Sequence, residues 1–313
     1  MSGEPVRLRI GGYQGPNSVL TAGLKDFAAE LEQAAPGAFG VEETHDVTAG
    51  GTSARALFDG LESGAFDIGY MASGYLTARV PQLAVIDLPL SRSDRHAAYA
   101  ALDGEAGRML RAAVEADTGY RVLGFWDNGF RHLTNGRRPI RAPRDCAGLV
   151  VRTLDNRIYR ETMAAMGFKP VVTDVKELRE AVASGQVDAQ ENPLTNAVVF
   201  ELWRHHRHVS LTGHFFGVVL LLANARWLSE LPEGPAAAVR RAAAAATAEQ
   251  RRLAEAQDVE ALDFLRAKGV SILPPEELDR DGFRTACRGI VESELAGLDP
   301  ALVAAYLGEP AGG

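Results

Sequence analysis

The residues of this sequence with the plainest chemical use are two arginines and an asparagine in its middle third: Arg131, Arg152 and Asn192. Arg131 stands in Phe130-Arg131-His132-Leu133-Thr134-Asn135, just after an apolar run that reads as a strand, and Arg152 ends the run Leu149-Val150-Val151-Arg152. In open α/β sheets ligands sit beyond the carboxyl ends of strands, so both guanidiniums are placed to meet one. A guanidinium keeps its proton and forks two N–H groups onto the two oxygens of a carboxylate. Asn192 precedes Pro193, which drives its backbone out of the helical region and can aim the amide into a cleft. Together the three side chains make a carboxylate clamp. The competing reading pairs each arginine with an acidic neighbour such as Asp127 or Asp155, and spacing alone does not choose between the two.

Other chemistry finds less support. There is no Gly-x-Ser-x-Gly elbow, P-loop, His-Glu-x-x-His or paired Cys-x-x-Cys. Gly11-Gly12-Tyr13-Gln14-Gly15-Pro16 lies between a strand and a helix, but its glycine spacing is wrong for a dinucleotide loop, and it reads as a turn. His205, His206 and His208, with His214 nearby, are the densest histidine cluster; no acid stands at matching spacing, so a solvated helix end is expected there rather than a metal. An isomerase or lyase would need a positioned acid and base, for which His132 and Glu191 are the nearest candidates, each without an evident partner. Cys146 and Cys287 are too few for a disulfide framework or a thiolate cage and read as inert thiols, one bridge being the alternative. No cofactor is expected.

The elements that must position the clamp alternate strand and helix. Val6–Ile10 reads as a strand, followed by a helix over 18–34 with Leu20, Leu24, Phe27 and Leu31 on one face. Strands follow at 41–47, 67–71 and 122–126, with a helix over 54–63 between the first two. The pattern restarts after Asn135: strands at 149–152, 169–172 and 187–189, helices over 155–166 and 175–184. Such alternation predicts a largely parallel α/β sheet. The chain has 313 residues, more than the roughly 100–200 of one domain, so two lobes are expected, joined by strands because no Pro-, Gly- or Ser-rich linker separates them. From Pro235 to Lys268 there is no internal Gly or Pro; these 34 positions predict a helix of roughly 50 Å, long enough to lie across both lobes.

Composition bounds the partners. Hydrophobic residues make up 46% and charged residues 24%, ordinary for a globular chain, and the formal net charge is −8. That acidity draws the protein to neither nucleic acid nor an anionic membrane, so any bound anion is held by a few local cations. The longest apolar run, Phe215 to Ala223, has nine residues, short of the ~20 that span a bilayer. Met1-Ser2-Gly3-Glu4-Pro5 lacks the charged and apolar regions of a secretory signal.

Several motifs occurring in order carry a family resemblance. Arg131-x-x-Thr134-Asn135, Arg138-Pro139-Ile140, Gly148-Leu149-x-x-Arg152 and Gln190-Glu191-Asn192-Pro193 resemble the substrate-binding proteins of TRAP transporters, the extracytoplasmic receptors of tripartite ATP-independent uptake systems. The likeness covers most of the chain, including Val80-Pro81 to Leu88-Pro89-Leu90 and the long late helix. It implies an α/β, two-lobe periplasmic-binding-protein (type II-like) fold with crossing strands and a long helix spanning both lobes. The expected lobes are 1–128 plus about 216–256, and 129–215 plus about 257–313, with the ligand cleft between them. The resemblance also implies that Arg152 makes the bidentate salt bridge to a substrate carboxylate, that Arg131 assists, that Asn192 contacts the substrate as the lobes close, and that Asp155 faces the pocket. It implies a periplasmic mature chain whose signal peptide has been removed, and permease subunits as partners; a receptor that docks on a permease is most simply a monomer. Cys146 departs from the family's usual leucine and reads as packing.

The rest of the expected pocket comes from position alone. Tyr13 and Gln14 follow the first strand, Ser73 and Tyr75 follow the third, and Trp126 and Phe215 fall near the expected lobe crossings, where they could stack on a ligand. Core packing or helix capping is the competing reading for each. The function expected is therefore capture of a small organic carboxylate and its delivery to a membrane permease, the alternatives being a ligand-sensing receptor domain and an enzyme on the same scaffold.

Overall fold

The computed structural model describes residues 4–308. In chain order the elements are β1 (Val6–Gly11), α1 (Val19–Ala34), β2 (Phe39–Thr44), α2 (Ala56–Ser63), β3 (Ile68–Ala72), α3 (Arg95–Asp103), α4 (Glu105–Asp117) and β4 (Tyr120–Asn135). There follow β5 (Val150–Thr153), α5 (Arg157–Ala165), β6 (Lys169–Val172), α6 (Val175–Ala183), β7 (Ala189–Pro193), α7 (Leu194–Val199) and β8 (His208–Asn224). The chain closes with α8 (Ala225–Glu230), α9 (Glu233–Ala267), β9 (Ser271–Leu273), α10 (Arg280–Gly297) and α11 (Pro300–Leu307). Among the described residues no helix is long and apolar enough to cross a membrane.

The residues form two compact units. The first takes the chain up to Ala72, Arg111–Asp127 and Val218–Ala256; the second takes Ser73–Leu110, Asn128–Gly217 and the chain from Gln257 onward. Residues 73–110, placed by the sequence reading with the first lobe, thus cluster with the second unit. The chain passes from one unit to the other at the end of β3 and within α4, β4, β8 and α9.

In the first unit β1 lies between β2 and β3, parallel to both, and β3 runs antiparallel to the second half of β8. Helix α1 starts where Ser18 caps it, its hydroxyl accepting from the Leu20 N–H at 3.1 Å. Its Leu20, Leu24, Phe27 and Leu31 are all buried, the face expected from their spacing. Each such side chain contributes about 1.5–3 kcal/mol on burial. The first part of α9 covers this unit with small residues, Ala238, Val239, Ala242, Ala243 and Ala246.

In the second unit β5 runs parallel to β6 and β7, and β7 pairs antiparallel with the end of β4. Strand β9 adds in parallel to the start of β8. The main core gathers Leu133, Leu149, Val151, Tyr159, Met163, Met166, Phe168, Phe215, Phe283 and both cysteines. A smaller cluster of Leu194, Val209, Ala261, Leu265 and Val270 seats the end of α9.

Several elements depart from the sequence reading: β2 is Phe39–Thr44 where 41–47 is expected, and β7 is Ala189–Pro193 where only 187–189 reads as a strand. β4 has 16 residues and β8 has 17, where only short runs at 122–126 and around Val209 are legible. Both carry polar residues that a local pattern treats as breaks, and cross-strand partners override that pattern. Helix α9 starts at Glu233, so Pro235 is its third residue rather than its first. That position still lies among the first N–H groups without an intrahelical partner, so the missing donor costs nothing.

Candidate ligand-binding site

The register of β4 on β7 builds the site's charged centre. Leu133 lies directly opposite Glu191, and Arg131, two residues away, falls on the same sheet face. Arg131 Nε donates to Glu191 Oε2 at 2.5 Å, and its Nη2 donates to Oε1 at 3.0 Å, to the Glu191 carbonyl at 2.8 Å and to Asn192 Oδ1 at 3.2 Å. Thr153 of β5 donates its hydroxyl to Glu191 Oε1 at 2.9 Å. Both partners are buried, at 3% and 0% exposure. Burial opposes both charges, but the pairing wins: Glu191 is held down at about 2, and the Arg131 guanidinium is raised above its ordinary value. Arg131 is thus neutralised by Glu191 inside the protein. The sequence offers Asp127 or Asp155 as pairing acids; the partner of Arg131 lies 60 positions away.

Arg152 differs. Its side chain is 2% exposed, yet no carboxylate among the described residues lies within ion-pair distance. Nε and Nη2 both donate to the Thr173 carbonyl, at 2.9 and 2.6 Å, which fixes the plane of the guanidinium. Burial pulls its pKa below the ordinary arginine value, while Tyr75, Glu191 and Asp174 pull it back. The half-buried Tyr75 sits beside it, its phenol pushed up by burial and eased by the Arg152 charge. Unpaired buried charge is costly. Of the two arginines, only Arg131 is paired with a carboxylate.

Asn192 belongs to a polar chain rather than standing free. Its Oδ1 accepts from Arg131 and from Asn196 Nδ2 at 3.1 Å, and its Nδ2 donates to Gln190 Oε1 at 2.5 Å. Gln190 in turn donates to the Thr134 hydroxyl, which meets His206 Nδ1 at 3.0 Å. Burial keeps His206 neutral, its pKa pushed down to about 4. Among the described residues no group of His, Cys, Asp and Glu is arranged to hold a metal.

Asp155, given a pocket role by resemblance, is exposed. The buried side chain at that turn is Asn156, 5% exposed, which caps α5 by accepting from the Tyr159 N–H. Its Nδ2 donates to the Gly74 carbonyl at 2.9 Å and to Asp87 Oδ2 at 2.8 Å. A residue at the end of a strand turning into a helix points in or out by one position, and the cap requirement selects the asparagine.

The aromatic proposals separate. Trp126 is 1% exposed in the first unit's core, its indole N–H donating to Thr247 Oγ1 at 3.1 Å, with Tyr70 6.1 Å away; it is packing, not a ligand platform. Phe215 is likewise core: it stacks on Tyr159 with ring centres 4.0 Å apart and planes 8° apart. Tyr159 is the aromatic that does touch the charged centre, with the Arg131 guanidinium carbon 5.4 Å above its ring. Tyr13 is buried against Tyr70, ring centres 5.0 Å apart. Gln14 is 3% exposed, and its Oε1 accepts from the Ser18 hydroxyl. Ser73 is buried, its carbonyl closing a short turn to the Leu76 N–H. His132, a candidate base, accepts at Nδ1 from the Gly213 N–H at 3.0 Å, and burial pushes its pKa down to about 3.

Two residues of this arrangement were not picked out as ligand-site residues. Glu191 was visible only as an unpartnered acid. Asp87 carried a signal, a lone acid between Leu83-Ala84-Val85-Ile86 and Leu88-Pro89-Leu90, where a buried charge is expected to have a use.

Residues 10–296 match the model of the bacterial extracellular solute-binding proteins, family 7, DctP. The chain belongs to that family. The solute-binding protein of Verminephrobacter eiseniae is 28% identical over 89% of this chain and 82% of its own. The 2,3-diketo-L-gulonate-binding periplasmic protein YiaO of Escherichia coli is 28% identical over 84% of this chain and 78% of its own. Among solved structures, the sugar acid binding protein DctPAm of Advenella mimigardefordensis, in complex with galactonate, superposes with a TM-score of 0.91 at 25% identity, covering 97% of each chain. The architecture of this DctP-family chain is therefore the two-lobe α/β fold of TRAP solute-binding proteins. The family serves transport, so the isomerase or lyase reading falls away.

Proposed function

We propose that this protein captures a small organic carboxylate in the periplasm and delivers it to the membrane permease of a TRAP transporter. The observation that carries this reading is the buried Arg152, whose charge meets no carboxylate while the neighbouring Arg131 is bound to Glu191. Thr173 takes the Nε–Nη2 edge of the guanidinium and Tyr75 lies beside it, and neither supplies a negative charge, so a ligand carboxylate would be the first anion the cation meets. One unspent cation matches one carboxylate, which favours a sugar acid or similar monoacid, the class named for two of the relatives. Arg131 then contributes through Nη1, and Asn192 through the chain it shares with Arg131, instead of as free ligands. Closure of the two lobes around the acid strips away water and strengthens each charged contact.

The test is a thermal-shift and calorimetric panel of D-galactonate, 2,3-diketo-L-gulonate, D-glucuronate and succinate against ligand-stripped protein. One acid is expected to raise the melting temperature. Arg152→Ala is expected to weaken that acid by at least ~2 kcal/mol, about thirtyfold, with its circular dichroism unchanged. Undiminished affinity in Arg152→Ala refutes the clamp.

A further inference from the structure

The buried acid Asp87 has no cationic partner. It is 1% exposed, and its Oδ2 accepts from the Thr77 hydroxyl and from Asn156 Nδ2, each at 2.8 Å. Its Oδ1 meets the Tyr159 hydroxyl at 3.4 Å. Tyr159 is held by stacking on Phe215 and by the Arg131 guanidinium over its ring. One carboxyl therefore ties the turn holding Thr77, the cap of α5 and the ring beneath Arg131.

Resting on the carboxylate reading above, we propose that Asp87 is a positioning residue of the anion site and that it takes up a proton when a carboxylate binds. Ionised, Asp87 places a second negative charge behind Tyr159 and Arg131, next to the site that must receive an anion. Protonated, it removes that charge and can donate to Tyr159. By linkage, an anion at Arg152 and Arg131 favours the protonated form, and protonation tightens the anion by the same factor. The geometry agrees with the acid's titration: burial raises its pKa to about 6, against the bonds from Thr77, Asn156 and Tyr159 and the charge of Arg131.

The surrounding groups leave this window to few others. On α11 Tyr306 and on α10 Cys287 are pushed up by burial to about 12, and Arg92 lies 4.5 Å over the Tyr306 ring. On β4 and β7, Arg131 stays charged, His132 is pushed down to about 3 and Glu191 to about 2. Tyr159 on α5 is raised by burial and by Asp87. On β8, His214 is lowered by burial, with Glu191 3.7 Å away pulling the other way, and it is the group to control for.

The experiment uses D-galactonate and titration calorimetry at pH 6.5 in two buffers of different ionisation enthalpy, on wild type, Asp87→Asn, His214→Gln and Arg152→Ala. Wild type and His214→Gln are expected to take up part of a proton on binding, and Asp87→Asn none. Between pH 5 and 7.5 wild-type affinity is expected to fall at least ~5-fold and that of Asp87→Asn to stay level. Equal uptake in Asp87→Asn, or none in wild type, overturns the proposal. If Asp87→Asn does not fold, the infrared carbonyl stretch of a protonated carboxyl decides: it must grow when D-galactonate is added to wild type. Loss of binding in Arg152→Ala combined with pH behaviour unchanged by Asp87→Asn refutes Asp87 alone. Equal binding by wild type and Arg152→Ala refutes the clamp instead, and no binding by wild type at any pH overturns both.

Discussion

Replacing Glu191 with glutamine isolates the ion pair at the centre of the second unit, because the amide keeps the shape and one acceptor while removing the charge. Against its burial, the Arg131 charge holds the carboxyl down at about 2, below the ordinary carboxylate range, so the ionised Glu191 stabilises the folded chain. A depressed carboxylate pKa stabilises the fold fully above the unfolded value. The wild-type advantage over Glu191→Gln should therefore be constant from pH 8 down to about 4.5, then vanish as pH falls toward 2. Breaking a buried pair by removing one partner costs about 3–5 kcal/mol by a separate route, the charge left uncompensated on Arg131. The assay is urea unfolding followed by far-UV circular dichroism and by Trp203, which packs on Phe264 in the same unit. Arg131→Met and the double variant Arg131→Met with Glu191→Gln complete a cycle. If the pair is what the geometry says, the double variant costs clearly less than the two singles added, since it leaves no orphan charge. Additive losses would refute the reasoning.

Two further outcomes check the assignment of side chains to core or site. Trp126→Phe gives up the Thr247 bond and ring volume in a buried place, so it should cost about 1–3 kcal/mol of stability. It should also leave affinity for the bound acid within twofold; a tenfold loss in calorimetry with the fold retained would return Trp126 to the pocket. Cys146 and Cys287 are free, buried and pushed up by burial to about 12, so neither should react with a thiol reagent at pH 8 in the native protein. Both should react once it is unfolded in urea, and reaction of the native chain would show that this core opens.

Where the chain carries a strong local pattern, the elements were legible. The stripe Leu20, Leu24, Phe27 and Leu31 with Ser18 ahead of it specifies α1 and its start. Lys169–Val172 was read without error, and α9 to within two residues at its start. β4 and β8 were read as short strands, because Asp127, Asn128, His132 and Thr134 in one and Ser210, Thr212 and His214 in the other look like breaks. Some of these polar side chains reach across strands, His132 to the Gly213 N–H and Thr134 to Gln190, by pairing that a single run of residues does not encode.

The kinds of group available follow from the residue order: guanidiniums at strand ends, an asparagine before a proline, a lone acid in an apolar run, and α/β periodicity in two stretches. These follow from covalent chemistry and from side-chain spacing along one strand or helix, which are local. Which arginine is paired with an acid depends on contacts between distant parts of the chain. Arg131 and Glu191 meet because β4 and β7 pair in one register, and a slip of one residue would turn Glu191 to the other face of the sheet. Arg152 keeps its charge because the group within its reach is the backbone oxygen of Thr173, carried there by β6. Charge is a property of the residue, but whether that charge is available depends on what the fold brings within about 4 Å of it.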